Sequence, residues 1–301
     1  PTAVAKISDA AAAFDDDAPV MAELSSRGPQ IAIPGIIKPD ITAPGVQVLA
    51  GYSPASDSYP NELFAIIRGT SMASPHVAGI FAQIKQVHPD WSPAMAKSAI
   101  MTTAYQEVSK LDENGNKVPA DPFDMGAGHV SGGKVGKGSM FEPGLVYDAG
   151  LDDYLGFLCG VNPEEVCEEL ESKGIPTKSY NLNYPSIGIS KVISSKTVVR
   201  TVTSVANENG FREYEAVVDA PKGFEIKVEP SSIRLKQGDT VTFNVTSTNT
   251  GAPVKEWRFG SLEWVDKTGN YVVYSPIAVR SVLLDIPYEV SERDEEEEGS
   301  S

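Results

Sequence analysis

The chain has 301 residues, 41% of them hydrophobic, and a formal charge of -16. That length accommodates two domains of ordinary size, each able to bury a core. The acid excess excludes a phosphate-backbone partner, which needs clustered Lys and Arg, so no nucleic acid is expected. No run approaches the roughly eighteen apolar residues that span a bilayer, so no membrane partner is expected either.

The sequence opens at Pro1-Thr2-Ala3 without an initiator Met or a leader, and reads as a processed product or a fragment. Ala3 to Ile7 is a strand candidate. Asp15-Asp16-Asp17 reads as a solvated turn, because it lacks the spaced ligands and turn glycine of a calcium loop. Val20 to Leu24 reads as a short strand, and Ser25-Ser26-Arg27-Gly28-Pro29 as a turn through which a backbone can approach closely. From Ile36 to Val46, Pro and Gly fix tight bends around short buried strands, and Val48-Leu49-Ala50 continues them.

The stretch Gly69-Thr70-Ser71-Met72-Ala73-Ser74-Pro75-His76-Val77-Ala78-Gly79 joins small residues to an apolar-periodic run. Val77, Ile80, Phe81, Ile84 and Val87 recur at three- and four-residue steps, so one face of a helix is expected to be buried. Ser71 stands at the helix N-terminus. Two roles fit it there. An N-cap is the commonest job for such a serine. A nucleophile is the other, since free N–H groups and the positive dipole end favour developing negative charge.

His88-Pro89-Asp90-Trp91-Ser92-Pro93 ends this helix and starts the next, with Ser92 as N-cap, Pro93 as first helical residue and Ala94 to Ala104 as the body. The glycines of Asp124-Met125-Gly126-Ala127-Gly128-His129-Val130 suit backbone crossings, with His129 packed among them. Cys159 and Cys167 are too few for a disulfide framework and lack metal-ligand company, so no metal or other cofactor is expected. Their segment is helical, with an acidic helix at Pro163 to Lys173. A pair eight apart on one straight helix lies too far apart to bond. A bridge between them needs a break near Gly160 or Pro163, and both redox states stay open.

At Asn181-Leu182-Asn183-Tyr184-Pro185-Ser186-Ile187 the texture changes to short strands and frequent turns. Val198 to Val205, Tyr214 to Val218, Phe224 to Val228, Val241 to Val245, Leu262 to Val265 and Tyr271 to Val279 are strand candidates. So many strands within about a hundred residues argue for an antiparallel β-sandwich. Asn244-Val245-Thr246 is a glycosylation sequon. The run Glu292-Arg293-Asp294-Glu295-Glu296-Glu297-Glu298 reads as a solvated end.

A serine nucleophile needs a base to take its proton and a carboxylate to hold that base. The histidines are His76, His88 and His129, and none precedes Ser71. His76 lies about 500° around and about 7.5 Å along a helix from Ser71, out of easy reach. His88 caps a helix end, and His129 sits in the glycine-rich crossing.

Gly69 to Gly79 resembles the nucleophile signature of subtilisin-like serine proteases. The strings Ser25 to Pro29, Lys38-Pro39-Asp40 with Ala43-Pro44-Gly45, His88 to Pro93 with Lys97 to Ala104, Asp124 to Val130, and Pro143 to Asp148 resemble the plant-type branch. Arg200-Thr201-Val202-Thr203, Phe259-Gly260-Ser261-Leu262 and Ser275-Pro276-Ile277 resemble its fibronectin-III-like domain. The resemblance runs from Pro1 to about Leu284 and implies an α/β fold: the C-terminal part of a subtilisin-like catalytic domain at 1–179. An all-β sandwich at 180–290 and an acidic disordered tail at 291–301 follow.

It also implies a serine endopeptidase that forms an acyl-enzyme on Ser71, with the Ser71 backbone N–H as one oxyanion donor. A protein or peptide substrate and a secreted, extracellular location (apoplast or cell wall) go with it. In that family the Asp and His motifs and the oxyanion Asn lie upstream of the serine. None is present here, and Asn61, the one Asn before Ser71, has a different context. The resemblance therefore implies a missing N-terminal catalytic half as partner, and inactivity of this chain alone. The competing reading is a non-catalytic, subtilase-derived binding or scaffold module.

There are three departures from the family. Its second Cys usually comes later than Cys167, which weakens transfer of its disulfide. Arg68 replaces a small residue, and either narrows the cleft and repels basic substrates or is a surface Arg without effect. Ser74, in place of a Cys or another small residue, is neutral.

Overall fold

A computed structural model describes residues 18–58, 60–131, 136–162, 166–206 and 210–283. The strand candidate at Ala3 to Ile7, the Asp15-Asp16-Asp17 turn and the acidic tail lie outside the described residues.

The first half is built from two antiparallel ribbons and short helices. Strands β1 (Val48–Gly51) and β2 (Phe64–Ile67) form one ribbon, and β3 (Ser109–Leu111) and β4 (Lys117–Pro119) the other. The helices are α1 (Thr70–Val87), α2 (Pro93–Thr102), α3 (Pro122–Met125), α4 (Leu151–Cys159) and α5 (Val166–Ser172). As the sequence indicates, Ser92 caps α2, its side chain accepting from the Met95 N–H at 3.0 Å, and Pro93 is the first helical residue. The helix stops at Thr102 rather than Ala104, because the Ala104 N–H turns back to the Met101 carbonyl.

The second half is a two-sheet sandwich. One sheet has the order β10-β8-β12-β13-β6 and the other β5-β7-β11-β9. The strands are β5 (Leu145–Val146), β6 (Ile187–Val192), β7 (Ser195–Ser204), β8 (Arg212–Asp219) and β9 (Phe224–Glu229). Next come β10 (Ser232–Leu235), β11 (Thr240–Asn249), β12 (Trp257–Asp266) and β13 (Val272–Ser281). Alternation sends Val198 and Val202, Phe243 and Val245, and Leu262 and Trp264 inward, all at most 1% exposed. The Phe243 and Trp264 rings meet edge to face across the sheets at 5.2 Å. Each such buried side chain contributes about 1.5–3 kcal/mol.

Several expectations need correction. The sandwich is not wholly antiparallel: β6 runs parallel to β13. β5 pairs with β7, so Leu145 and Tyr147 enter the sandwich core from well before Asn181. Val20 to Leu24 is no strand. Val20 makes a single bridge to Ser109, and the chain turns away at Ala22 to Ser25. β1 is exposed, not buried, with Leu49 at 67%. On the apolar stripe of α1 only Ile84 is fully buried, while Val87 is 56% exposed. The cysteine segment does break: α4 ends at Cys159 with Gly160 as C-cap, and α5 restarts at Val166. Cα atoms 5.6 Å apart let a disulfide join Cys159 to Cys167.

The two halves meet at the 180–186 segment. Arg200 on β7 is 1% exposed and has no carboxylate partner in contact among the described residues. Its guanidinium instead donates to the carbonyls of Tyr184 (3.1 Å), Tyr180 (3.0 Å), Ser186 (3.0 Å) and Val199 (2.8 Å). Burial pushes it down to about 10, which still leaves it charged at neutral pH. Beside it, Asn181 and Asn183 accept from the N–H groups of Val199 and Thr201 through their side-chain oxygens. β5 reaches only Thr203 and Ser204, so these two amides replace the missing ladder along the β7 edge.

Tyr184 carries the connection across. Its hydroxyl donates to Asp40, which also pairs with Lys38 at 2.8 Å and Lys97 at 3.2 Å. Burial alone would raise the Asp40 carboxyl, but the Lys97 charge, with Lys38 and the Tyr184 hydroxyl, holds it below the usual carboxylate range.

Two outcomes are expected. Arg200→Leu strands four carbonyls and should lower the urea-unfolding free energy by about 3 kcal/mol or more. Asp40→Asn should cost about 1–2 kcal/mol at pH 7, a modest figure because Lys38 and Lys97 are partly solvated. The native carboxyl sits below its unfolded value of about 3.9. Its stabilisation is therefore complete above that value and lost as pH falls through the folded one. Urea midpoints of native chain and variant should differ at pH 7 and converge in acid.

Candidate active site

The turn from β2 into α1 sets the position of Ser71. Gly69 is the N-cap, with φ 152° and ψ 160°, a backbone region that is essentially glycine-only. Ser71 is therefore the second residue of the helix, and the capping role expected of it falls to Gly69. The Gly69 N–H donates to the Gly45 carbonyl at 2.8 Å, and the Met72 N–H returns to the Gly69 carbonyl at 3.0 Å. A Cβ on Gly45 would stand 2.9 Å from the Gly69 oxygen, so the Ala43-Pro44-Gly45 bend is fitted against the turn.

Ser71 is exposed, and its hydroxyl makes no hydrogen bond among the described residues. Its N–H belongs to the first helical turn, whose donors have no intrahelical acceptor. No acid occupies that turn, so the positive end of the dipole is left uncompensated. Pro75, four residues on, has no N–H for the Ser71 carbonyl. The turn thus offers a hydroxyl, a free amide and a favourable field at one exposed point.

No histidine completes it. His76 bonds through Nδ1 to the Met72 carbonyl at 2.7 Å. His88 caps α1, bonds through Nε2 to the Phe141 carbonyl at 2.7 Å and stacks on Trp91 at 4.0 Å. His129 holds the Thr42 hydroxyl at 2.9 Å through Nδ1, and its backbone bridges Thr42 and Tyr105, while burial lowers its pKa. Asn61 is a turn residue between β1 and β2, at φ 63°, with its N–H on the Pro54 carbonyl. Arg68 is exposed and has no ion-pair partner among the described residues. Those residues contain no cluster suited to a metal ion.

The site also has an uncovered apolar surround that the sequence reading missed. Leu49, Phe64 and Ile66 of the β1–β2 ribbon are 67%, 65% and 61% exposed, with Val46 and Leu63 also open. The unbroken apolar run Leu63-Phe64-Ala65-Ile66-Ile67 was the available signal for β2. Contiguous exposed apolar area of this kind marks a candidate interaction surface. A separate cavity of about 530 Å³, lined by Met21, Arg27, Lys110, Asp112 and Asp124, includes no residue of the Gly69–Gly79 stretch.

The chain thus joins an exposed serine on a strand–turn–helix to a two-sheet β-sandwich. Residues 3–128 match the model of the subtilase family, and residues 181–279 that of the fibronectin type-III domain. The chain therefore carries a plant-type subtilase segment followed by a fibronectin type-III domain. It is 41% identical over 284 residues to subtilisin-like protease SBT1.7 of Arabidopsis thaliana, an overlap of 87% of this chain and 36% of that protein. Subtilisin-like protease SBT5.3 of the same plant is 41% identical over 280 residues, covering 87% of this chain and 35% of that one. The CO(2)-response secreted protease, also from Arabidopsis thaliana, is 39% identical over 285 residues, covering 88% and 36%. The chain spans little more than a third of the length of these relatives.

The turn geometry gives a contrast between two glycines of α1 and its cap. Gly69→Ala should cost about 1–3 kcal/mol of backbone strain. Gly79 has open space around its Cβ direction, so Gly79→Ala should stabilise by up to about 1 kcal/mol. Thermal unfolding of the two variants checks both signs.

Proposed function

We propose that this chain supplies the nucleophile half of a secreted serine endopeptidase. Ser71 attacks the scissile carbonyl, and its own N–H is one oxyanion donor. The carbonyl carbon gains the Ser71 Oγ bond, the amine leaves with a proton from the base, and water then releases the acyl group. The acid, the base and the side-chain oxyanion donor come from polypeptide outside residues 1–301. Residues 1–179 form the C-terminal part of the α/β catalytic domain, 180–290 the sandwich and 291–301 an acidic tail. Arg68, directly before Gly69, places a fixed positive charge beside the nucleophile and disfavours basic side chains there.

One observation carries this reading: Ser71 stands unpartnered at the exposed end of α1, beside apolar surface that nothing in the described chain covers. The similarity to subtilisin-like proteases supports a peptide or protein substrate. The similarity to a secreted protease, together with the lack of a membrane-spanning helix among the described residues, supports an extracellular site of action.

A fluorophosphonate probe tests it. The whole protein should be labelled at Ser71. The isolated chain should react slower by roughly a millionfold, since triad members act as a unit. Comparable labelling of the isolated chain overturns the claim that it is incomplete. Unchanged peptide hydrolysis by Ser71→Ala in the whole protein overturns the nucleophile and favours a binding module.

A further inference from the structure

The sequon at Asn244 is unused by the proposed chemistry, and its placement is informative. Phe243 and Val245 are buried at 1% and 0%, so strand alternation turns Asn244 to the opposite, solvent face of its sheet, where it is exposed. The Asn244 amide makes no hydrogen bond among the described residues. Asn181 and Asn183, in the segment before β6, instead hold neighbouring backbone N–H groups. Asn244 holds nothing and projects freely.

The surrounding face is polar. Thr246 pairs with Thr197 and Thr242 with Thr201, each hydroxyl pair at 2.8 Å. Directly opposite Asn244 stand Val199 on β7 and Glu229 on β9. Glu229 and Lys227 form an exposed ion pair on the same face of β9. A rank of threonines and charges has no apolar reason to be covered by protein, unlike the β1–β2 ribbon. β9 is the outer strand of its sheet and pairs with β11 alone among the described strands, leaving one edge open to strand addition.

We propose that Asn244 carries an N-linked glycan, which lies over this threonine face and screens the β9 edge. The donor is a lipid diphosphate-linked oligosaccharide of the secretory pathway. The Asn244 Nδ2 forms a bond to the anomeric carbon, the bond from that carbon to the diphosphate oxygen breaks, Nδ2 releases a proton and the lipid diphosphate leaves. Val245 at the middle position is permissive, and Thr246 supplies the hydroxyl that the transferase recognises. This inference rests on the reading of the protein as secreted.

The test is the mass of the peptide bearing Asn244, from the whole protein collected outside the cell. A glycan is expected there. Removing it with peptide-N-glycosidase A should leave Asp at position 244, read by tandem mass spectrometry. Asn244→Gln and Thr246→Ala should each lose one glycan step on gel mobility, while Thr246→Ser, which keeps a hydroxyl, should retain it and control for folding. Secreted protein with unmodified Asn244 overturns the site alone. Protein found only in the cytosol and unmodified overturns secretion and the site together. The same gel step persisting in Asn244→Gln overturns the assignment to this residue.

Discussion

A buried guanidinium that must find acceptors organises this chain. Arg200 points into the sandwich, where no carboxylate of the described residues meets it, and an uncompensated cation there would cost several kcal/mol. Backbone carbonyls are the acceptors within reach, and three of the four belong to residues 180–186. That segment is thereby held along β7, with Asn181 and Asn183 filling the strand's free N–H groups. Once it is held there, Tyr184 can extend its hydroxyl to Asp40, and Lys38 and Lys97 follow. Asp40 belongs to the bend leading to Gly45, and Lys97 to α2. A chain of direct contacts thus runs from the core of the sandwich to the support of the Ser71 turn.

A second seam runs beside the first. The Ser98 hydroxyl of α2 accepts from the Tyr147 N–H at 2.9 Å, and the Tyr147 hydroxyl meets that of Ser275 on β13 at 2.9 Å. Ser98 and Ser275 are both fully buried, so these bonds lie where loss of a partner is most costly. Ile84 of α1 packs with Ala96, Ala99 and Ile100 of α2 and with Val146 of β5. One side of α1 is therefore anchored through α2 to the sandwich, and the other side is left to whatever covers the β1–β2 ribbon.

The parts legible in the sequence were those with local causes. Ser92-Pro93 specifies a helix start by itself, and alternation marks the four sandwich strands β7, β8, β9 and β11, whose two faces differ in burial. What escaped was set by distant partners. β6 finds its parallel neighbour β13 at the far end of the domain, and β5 is too short to show a period. Asn181 and Asn183 look like turn residues until the bare edge of β7 is seen. The cysteine bridge depends on a helix break that Gly160 permits but does not require. The buried face expected of α1 from its periodicity is met only in part, with Ile84 its one fully buried residue.

That mismatch bears directly on Ser71. The features that place its hydroxyl are local: the glycine-only backbone at Gly69, the bond from Gly69 to Gly45, and the missing donor at Pro75. They persist whether or not the rest of an active site is present. A base, by contrast, must arrive from another part of the fold, and each histidine in the chain has a bond elsewhere. Positioning and activation of a nucleophile are therefore separable physical tasks. The described residues fix the position of the Ser71 hydroxyl, and they set none of the three histidines against it.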